Sequence, residues 1–598
     1  MAKQYLSMRN LRFQMFEVQN AVGLNQYERY QDYDQDAFSL AMDAAKQIGD
    51  QYLFPIYREM DKNKAYYENG VVHVHPELKA AIKAIADGGW IAAPMDYDKG
   101  GQQMPVVLLN AGLFIFYSAN ANAAAYAFLT QGAANLINTF GSEELQSKYL
   151  GQMFSGDWQG TMALTEPQAG SSLSDLVTSA TPQAEGHYSI KGQKIYISSG
   201  DHTAADNVVH LLLARIDGAP AGTRGISLFV VPKFREEEDG LVSNGVTTSG
   251  IYGKMGQKGY VAAHLMLGEQ EECRGYLVGK EHHGLSYMFQ MMNEARIGTG
   301  NLSCGNASAA YYASLQYANE RPQGRHPDNK DLTQPPVLII EHADVRRMLL
   351  MQKAVTEGSL GLILKTSYLM DLAHVAEGEE AKRAHLLLET LTPIVKSYSA
   401  EMAIHSVSAG MQVLGGAGYT DDFPLEQYYR DVRINSIYEG TTTIHGMDLL
   451  GRKVMMDNGG AFRLFMEEVQ KVIGDAAGLP ALKQYAQDLG ERAKALHEVT
   501  LHLTKIAATE GPRAFLADAT IYLEFFSLVT IGWIWLEQGV VAEKALAGAE
   551  GEEKAFYEGK KAALHYYFCY ELPKSLGMEH RLRHQDGFTV QVESAHIN

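Results

Sequence analysis

The chain has 598 residues and a formal net charge of −19, with 46% hydrophobic and 20% charged residues. This length exceeds what one hydrophobic core holds, so about three or four domains are expected. The acidic balance argues against a general binder of nucleic acid or of anionic membranes, because such proteins need clustered cations. It suits a soluble enzyme that docks another protein through a local patch.

Cysteine usage and hydropathy indicate a cytoplasmic protein without a membrane span. Cys273, Cys304 and Cys569 give neither a disulfide framework nor the spacing of metal ligands, and each is expected to be a buried apolar residue. The N-terminus lacks the apolar core of a signal peptide. The most apolar late stretch, residues 525–536, is shorter than the roughly 20 residues that a membrane span needs, so it predicts a buried helix.

Five regions follow one another along the chain. Residues 1–35 are rich in aromatic side chains and are expected to pack on the body as an N-terminal arm. Residues 36–159 carry apolar residues at helical spacing, which predicts a helical domain. In residues 160–281, short β-rich runs alternate with glycine turns, which is typical of an antiparallel β domain. Residues 282–456 are predicted to form a four-helix bundle, and residues 457–598 an extra C-terminal helical domain.

The predicted fold class is therefore mostly α with one central antiparallel β domain. The expected strands are residues 161–164, 188–198, 207–216, 226–232 and 261–267. The late helices are expected at about residues 461–475, 481–508, 512–547 and 552–575. Because the strands do not alternate with helices, a Rossmann unit is disfavoured. The glycine-rich run at residues 415–418 follows a helical stretch, whereas a dinucleotide fingerprint would follow a strand.

Glu439 is the carboxylate best placed for chemistry. It stands between an aromatic residue and Gly440, and three threonines and an apolar run of helical spacing follow. The threonine hydroxyls are suited to cap a helix N-terminus. Glu439 would then lie just before that helix, where Gly440 makes the backbone flexible. A base for carbon-acid chemistry needs such a fixed, partly desolvated place with free amides nearby. An ordinary surface glutamate, favoured by the helix dipole, is the alternative interpretation.

Four further segments combine hydroxyls, glycines and guanidinium groups. Two of them are Leu164-Thr-Glu-Pro-Gln-Ala-Gly-Ser-Ser172 and Tyr196-Ile-Ser-Ser-Gly200. Their hydroxyls and backbone amides could bind the polar edge of a planar cofactor or a phosphate, and each segment is also compatible with a plain loop. The third is Arg321-Pro-Gln-Gly-Arg325, whose guanidinium groups could bind a pyrophosphate. A solvated charge cluster is the alternative interpretation. The last segment is Gln412-Val-Leu-Gly-Gly-Ala-Gly-Tyr419. Its glycines would let the backbone come close to a ligand or a neighbouring helix, and the alternative interpretation is the cap of a helix C-terminus.

These segments, together with Asn293-Glu-Ala-Arg296 and Tyr438-Glu-Gly-Thr441, resemble the acyl-CoA dehydrogenase family of flavoproteins. The resemblance covers residues 36–456 in the family's order and layout. The arm and the extra C-terminal domain are similar to those of the family's longer branch, which includes 3-methylmercaptopropionyl-CoA dehydrogenases. The resemblance implies FAD-dependent α,β-dehydrogenation of an acyl-CoA thioester to the trans-2-enoyl-CoA, as in fatty acid β-oxidation. It also implies electron transfer to an electron-transfer flavoprotein.

Residue roles follow from the resemblance position by position. Glu439 matches the base that removes the pro-R α-proton while the β-hydrogen leaves as hydride to flavin N5. The matched FAD contacts are Leu164, Thr165, Ile197, Ser198, Arg321, Gln323, Gln412, Gly415, Gly416, Thr441 and Thr443. The matched substrate contacts are Ser171, Arg296 and Gly440. Gln412, Gly415 and Gly416 match contacts from a second subunit, which implies a homodimer or a dimer of dimers.

The sequence departs from the family pattern at three places, none of which is the base. The common Gly-Ser-Asp is replaced by Gly-Ser171-Ser172, with the next acid at Asp175, and the usual Trp or Phe of the second motif is Tyr196. Residues 254–260 follow the family only loosely. An acyl-CoA oxidase using oxygen and a non-catalytic flavoprotein of the same fold are the alternatives, whereas a nitroalkane oxidase would be expected to have Asp at position 439.

Overall fold

A computed structural model describes residues 4–329, 331 and 333–598. The first residues of the expected arm, and Lys330 and Leu332 in the polar break between two bundle helices, lie outside the described residues. The chain forms two compact units. Met1–Phe38 and Arg296–Asn598 make the helical unit, and Ser39–Ala295 make the β-containing unit.

The β-containing unit begins with helices around one long apolar helix. These helices are Gln35–Ile48, which starts in the helical unit, and Tyr57–Lys62, Leu78–Asp87, Val106–Phe140 and Glu143–Phe154. Val106–Phe140 is almost wholly buried and is interrupted at Asn120, which has φ −163° and ψ 93°. The Asn120 amide donates to the Leu53 carbonyl at 3.1 Å, so a polar side chain ties the interruption to the surrounding helices.

Twelve strands lie in the described part of this unit. They are β1 Tyr66–Glu68, β2 Val71–His73, β3 Trp158–Ala163, β4 Ser179–Pro182, β5 Tyr188–Ser198, β6 Asn207–Ile216, β7 Ile226–Pro232, β8 Phe234–Glu237, β9 Gly240–Ser243, β10 Val246–Ile251, β11 Ala262–Leu267 and β12 Arg274–Leu277. β1 pairs with β2 and β8 with β9 as hairpins. The main sheet has the order β10-β11-β5-β12-β7-β6-β3, and β4 pairs with both β5 and β6. Most pairs are antiparallel, but β3 and β4 each run parallel to β6.

The main sheet is buried on both faces around its central strands. Leu211 and Leu213 of β6 join one core with the helices Val106–Phe140 and Glu143–Phe154. The intervening Leu212 belongs to a second core with other strands. Successive side chains of a strand point to opposite faces, so burial on both sides makes β6 a continuous apolar run. That run is why its bounds are predictable from sequence.

The helical unit contains the bundle. Its helices are Gly284–Glu320, which starts in the other unit, and Ala343–Val375, Gly378–Leu414, Leu425–Val432 and Thr442–Gly451. Gly300 lets two of them approach closely, because a Cβ there would lie 2.8 Å from the Val395 carbonyl oxygen. The predicted fold class is confirmed: the chain is mostly helical with a central β domain and additional C-terminal helices.

The additional C-terminal helices surround one apolar helix. They are Met456–Ala477, Lys483–Glu510, Pro512–Phe515, Ala519–Leu546, Gly551–Tyr566, Ser575–Arg583 and Phe588–Gln591. Ala519–Leu546 contains residues 525–536, and Trp533 and Trp535 are among its fully buried side chains. In the described chain, Val106–Phe140 and Ala519–Leu546 are long and apolar enough to span a membrane, but most of each apolar window is buried within the protein. Such burial is typical of core helices, as expected for residues 525–536.

The N-terminal arm packs on the helical unit, as the aromatic residues predict. Its short helix Met8–Arg12 is followed by Phe13, which is fully buried against Ala542 and Tyr557. The Tyr30 hydroxyl donates to Asp371 Oδ1 at 2.8 Å. The arm therefore joins the bundle to the C-terminal helices through both apolar and polar contacts.

The cysteines follow the expectation at two of three positions. Cys273 and Cys304 are buried, whereas Cys569 is exposed. Cys569 lies in a short π-helical turn, Tyr567–Glu571, where the buried aromatic residues Tyr567 and Phe568 occupy the inner side. The expectation that all three cysteines are buried is therefore wrong for Cys569.

Candidate active site

Glu439 and Gly440 form a left-handed turn directly before the helix Thr442–Gly451. Their φ angles are 55° and 87°. Thr441 is the N-cap of the helix, and its hydroxyl accepts from the Ile444 amide at 3.4 Å, so the predicted threonine cap is confirmed. A positive φ is rare for a residue with a side chain and stores about 1–3 kcal/mol of strain that the surroundings must offset.

Two buried side chains hold the carbonyl groups of this turn. His445 Nε2 donates to the Glu439 carbonyl oxygen at 3.0 Å, and Lys396 Nζ donates to the Gly440 carbonyl oxygen at 2.6 Å. Both donor residues are completely buried. The glycine is required here, because a Cβ at position 440 would lie 2.9 Å from His445 Nε2. The turn is thus fastened at both of its left-handed residues.

The Glu439 side chain is half-buried, and its carboxylate has no hydrogen-bond partner in the described part of the chain. Burial raises its pKa above the ordinary value, and the nearby cations Arg296 and Lys396 offset part of that rise. Arg296 is itself buried, with Nη1 3.6 Å from Asp448 Oδ2. A carboxylate with a raised pKa is a stronger base than a solvated one, which is the property that proton abstraction from carbon needs.

The helix after the turn is anchored to the bundle and to the C-terminal helices. The Thr442 hydroxyl donates to Glu401 of the helix Gly378–Leu414. Gly446 packs so closely on the start of Ala519–Leu546 that a Cβ would lie 2.7 Å from the Ala519 carbonyl oxygen. Thr443 is exposed, and its hydroxyl accepts from Thr520 at 3.4 Å. The turn that carries the candidate base is therefore followed directly by a helix with two packed supports.

In the β-containing unit, a buried ion pair shapes the loop after β3. Lys194 Nζ lies 2.7 Å from Glu166 Oε1 and also donates to the Leu164 carbonyl at 3.0 Å. The Glu166 carboxylate accepts from the amides of Val177 and Thr178 as well, at 2.7 and 3.1 Å. These contacts bend the loop back on β5, since Lys194 belongs to that strand.

The loop places Leu164 and Thr165 beside the strand that ends at Ile197 and Ser198. The Ile195 amide donates to the Thr165 carbonyl at 2.9 Å, which fixes the loop along β5. Within the residues that the structure describes, the hydroxyls of Thr165 and Ser198 are partly exposed and make no hydrogen bond. The structure therefore brings these four predicted cofactor contacts together and leaves two hydroxyls available to a ligand.

Two of the three departures from the family pattern make defined local contacts. Ser171 is exposed, and the Ser172 hydroxyl donates to Asp175 at 2.8 Å, so the displaced acid still contacts the loop. Tyr196 has φ 57°, is 59% exposed and lies against Tyr252 with ring centroids 4.2 Å apart. The ring is thus held by a neighbouring aromatic residue at the end of β5.

The predicted phosphate and inter-subunit contacts lie exposed in the helical unit. Arg321 and Gln323 lie on a segment that bonds back to residues 337–339, and both are exposed. Gly415 has φ 61° and caps the helix Gly378–Leu414, and neither it nor Gly416 has an atom within 4 Å of its Cβ position. Gln412 is exposed on the last turn of that helix. An open glycine turn and an exposed guanidinium are suitable for a dinucleotide, so this donor set fits FAD.

Lys396 and His445 are the residues that sequence reasoning missed at this site. Lys396 follows Pro393, Ile394 and Val395 on the buried face of its helix. A lone lysine in an apolar stretch is a signal of a buried polar contact, because a buried cation requires a partner. The partner itself is 44 positions away in sequence and is not visible from the local pattern.

The chain matches family profiles along most of its length. They are described as acyl-CoA dehydrogenase N-terminal domain (residues 36–157), middle domain (161–269) and C-terminal domain (282–455), and acetyl-CoA dehydrogenase C-terminal like (465–593). A Ruegeria pomeroyi 3-methylmercaptopropionyl-CoA dehydrogenase is 37% identical over 92% of this chain and 93% of its own length. A Mycobacterium tuberculosis broad-specificity linear acyl-CoA dehydrogenase, FadE5, is 32% identical over 98% of this chain and 99% of its own.

A solved structure supports the fold independently. Caenorhabditis elegans ACDH-11, in complex with C11-CoA, has a TM-score of 0.74 and 19% identity, covering 95% of this chain and 90% of that chain. The chain belongs to the acyl-CoA dehydrogenase family, whose members are flavoprotein oxidoreductases that dehydrogenate acyl-CoA thioesters. The predicted resemblance and enzyme class are thereby confirmed.

Proposed function

We propose that this enzyme uses Glu439 as the base that removes the α-proton of an acyl-CoA thioester, giving the trans-2-enoyl-CoA. The observation that carries the proposal is the carboxylate itself: it is half-buried, fixed on a left-handed turn and has cations near it but no hydrogen-bond donor in the described chain. Burial that raises the pKa of the base brings it closer to the pKa of an activated thioester, which lowers the barrier to proton transfer.

The enolate-like oxygen that forms on the thioester carbonyl also needs stabilisation. The backbone amide of Glu439 is the donor of this chain that we assign to it, since Gly440 leaves the turn open on one side. Arg296, beside the base, holds positive charge where negative charge develops. Ser171 and Gly440 are the other substrate contacts that we propose.

The proposed cofactor is FAD, which when bound supplies the acceptor of the β-hydrogen. Leu164, Thr165, Ile197 and Ser198 would hold its ring system through the free hydroxyls and the edge of β5. The remaining proposed contacts are Arg321, Gln323, Thr441 and Thr443 from one subunit and Gln412, Gly415 and Gly416 from a second copy. This division makes the functional enzyme a homodimer or a dimer of dimers. Two of the glycines have open faces, as a second-subunit contact requires.

The proposed electron acceptor is an electron-transfer flavoprotein, and the proposed location is the cytoplasm. The net charge of −19 suits docking through a local patch rather than binding to anionic surfaces. The acyl group is left to experiment, because relatives of similar identity are named for a sulfur-containing acyl group and for broad linear chains.

Anaerobic titration of the holoenzyme with a panel of acyl-CoA thioesters tests the proposal. Wild-type enzyme should lose its flavin absorbance with the preferred substrate. Glu439→Gln should keep bound flavin and bind acyl-CoA but show no flavin reduction, because the amide cannot accept the proton. The exposed Glu379 gives the matched control, and Glu379→Gln should behave as wild type. Normal bleaching of the flavin in Glu439→Gln would contradict the assignment.

A further inference from the structure

Lys396 differs from the other deeply buried lysines of the described chain in the partner that it binds. Lys194 pairs with Glu166 at 2.7 Å, Lys560 pairs with Glu357 at 2.8 Å, and Lys453 pairs with Glu389. In the described residues, Lys396 forms no ion pair within 4.0 Å and donates to a backbone carbonyl, that of Gly440, instead. Burial without a direct ion pair is costly for a cation, and the more distant carboxylates of Glu439 and Glu401 offset only part of that cost, because the pKa of Lys396 is lowered to about 8.

His445 supports the neighbouring carbonyl with a defined tautomer. A carbonyl oxygen only accepts, so Nε2 must carry the proton that it shares with the Glu439 carbonyl. Nδ1 is buried and has no hydrogen-bond partner in the described part of the protein. Burial, with Lys396 and Arg296 nearby, lowers the pKa of His445 to about 3, so the ring is neutral at physiological pH. The imidazole is therefore a fixed donor rather than a proton shuttle.

We propose that Lys396 and His445 are positioning residues that hold Glu439 and Gly440 in the left-handed turn from which the carboxylate reaches the α-proton. The two donors bind successive carbonyls, so together they fix the orientations of the two peptide groups on either side of Gly440. Neither side chain is directed at the reacting atoms through these bonds. The inference rests on the proposed function, because it presumes that Glu439 is the base.

Lys396 also sets the charge environment of the base. The charged groups around it are Glu439, Glu401 and Arg296, and Asp448 lies beyond Arg296. Lys396 lowers the pKa of the Glu439 carboxyl, although less than Arg296 does. Replacing Lys396 by a neutral residue therefore raises the pKa of the base. The rate of flavin reduction requires the ionised base, so the acid limb of its pH profile moves to higher pH.

Paired variants separate positioning from simple packing. His445→Gln keeps a donor the same number of bonds from the backbone as Nε2, whereas His445→Leu keeps bulk without a donor. We expect His445→Leu to slow flavin reduction by about tenfold or more, the effect of one lost hydrogen bond to a strained turn. His445→Gln should stay within about threefold of wild type. Acyl-CoA binding should change little in either variant.

The second pair of variants, Lys396→Met and Lys396→Arg, tests the role of Lys396. Lys396→Met should slow flavin reduction by about tenfold or more and move the acid limb to higher pH, whereas Lys396→Arg should keep the wild-type limb. Hydrogen exchange of peptides covering residues 437–444 gives a readout without turnover. It should be faster than wild type in His445→Leu and Lys396→Met, and near wild type in His445→Gln.

The outcomes distinguish this inference from the proposed function. If Glu439→Gln is inactive but His445→Leu and Lys396→Met reduce the flavin at the wild-type rate with unchanged exchange, the positioning role is wrong. Equal losses in His445→Leu and His445→Gln would also overturn it, since packing alone would then explain the effect. If Glu439→Gln still reduces the flavin, the proposed base fails, and faster exchange in His445→Leu would still establish the support of the turn.

Discussion

Glu166 in the β-containing unit and Glu439 in the helical unit each lie near a buried lysine, yet their carboxylates have opposite environments. Lys194 binds the Glu166 carboxylate directly, and two backbone amides donate to the same group. Lys396 instead binds the backbone of the turn that carries Glu439, and that carboxylate accepts no hydrogen bond in the described chain. A glutamate and a buried lysine thus give one carboxylate that is fully hydrogen-bonded and one that accepts no hydrogen bond from the described residues.

The two pKa shifts follow from this difference. Burial alone would raise the pKa of Glu166, but Lys194 and the donors around it lower it overall. Burial also raises the pKa of Glu439, and Arg296 and Lys396 only partly offset the rise. A lysine that binds the carboxylate makes it a weak base, whereas a lysine that binds the adjacent carbonyl fixes the residue and leaves the carboxylate basic. The position of one ammonium group therefore separates a structural glutamate from a candidate catalytic one.

Neutralising the two glutamates should have opposite effects on stability. Glu166→Gln leaves Lys194 buried without a countercharge, so we expect a loss of about 3–5 kcal/mol in the free energy of unfolding. Glu439→Gln removes a charge that burial disfavours, so its thermal midpoint at neutral pH should equal or exceed that of wild type. Calorimetry of both variants measures the contrast. The double variant Glu166→Gln/Lys194→Met should recover much of the loss, and equal destabilisation by the two single variants would contradict the comparison.

The pH dependence of the two contributions differs in sign. The folded-state pKa of Glu166 is depressed, so its contribution to stability is fully present above the ordinary pKa of a glutamate and is lost as the pH falls through the folded value. The folded-state pKa of Glu439 is raised, so its ionisation begins to destabilise the folded state as the pH rises above the ordinary pKa of a glutamate, and this penalty is fully present above the raised value. The stability difference between Glu439→Gln and wild type should therefore shrink on acidification, as thermal midpoints between pH 7 and about pH 4 would record.

Gly440→Ala tests whether the geometry of the turn matters in addition to its charge. The new methyl group meets His445 Nε2 at 2.9 Å on a backbone with φ 87°, so we expect about 1–3 kcal/mol of destabilisation and at least about a tenfold slower flavin reduction. Gly459→Ala is the matched control, because Gly459 has φ 77° and its nearest neighbour, Arg463 Nη1, lies at 3.4 Å. Gly459→Ala should lose stability but keep the wild-type rate of flavin reduction. Stopped-flow reduction at the wild-type rate in Gly440→Ala would count against a strained, positioned base.

The parts of the fold that sequence predicts are those with a strong local signal. Strands β5, β6 and β7 have the expected bounds, because they are long apolar or alternating runs closed by turns. β4 and β12 were not predicted, since each has only four residues and mixed polarity. The parallel pairing of β3 and β4 with β6 was also not predicted, because local alternation carries no information on the partner strand.

The same division applies to the candidate site. The Thr441 cap and the glycine beside Glu439 are local features and are readable from spacing. The role of Glu439 as base stays a proposal that its raised pKa supports. Lys396 reaches the turn from another helix, so its contact depends on the tertiary fold. His445 lies only six residues after Glu439 in the next helix, but spacing alone does not show that its side chain turns back to the Glu439 carbonyl. Sequence thus supports a proposal for the reacting residue, but it does not identify the residues that hold the turn.

The loop after β3 and the turn at Glu439 also differ in how far away in sequence their supporting elements lie. A substitution of Gly446 tests whether the distant support matters. The loop after β3 is held by β5 within one domain, whereas the helix that follows Glu439 packs on Ala519–Leu546 of the C-terminal helices. Gly446→Ala places a methyl group 2.7 Å from the Ala519 carbonyl oxygen, so we expect about 1–3 kcal/mol of destabilisation and a slower flavin reduction of only about two- to fivefold. The exposed Gly474 of Met456–Ala477 has open space, and Gly474→Ala should instead gain about 0.5–1 kcal/mol without changing the rate. If Gly446→Ala loses stability but keeps the full rate, the C-terminal helices stabilise the bundle without positioning the base.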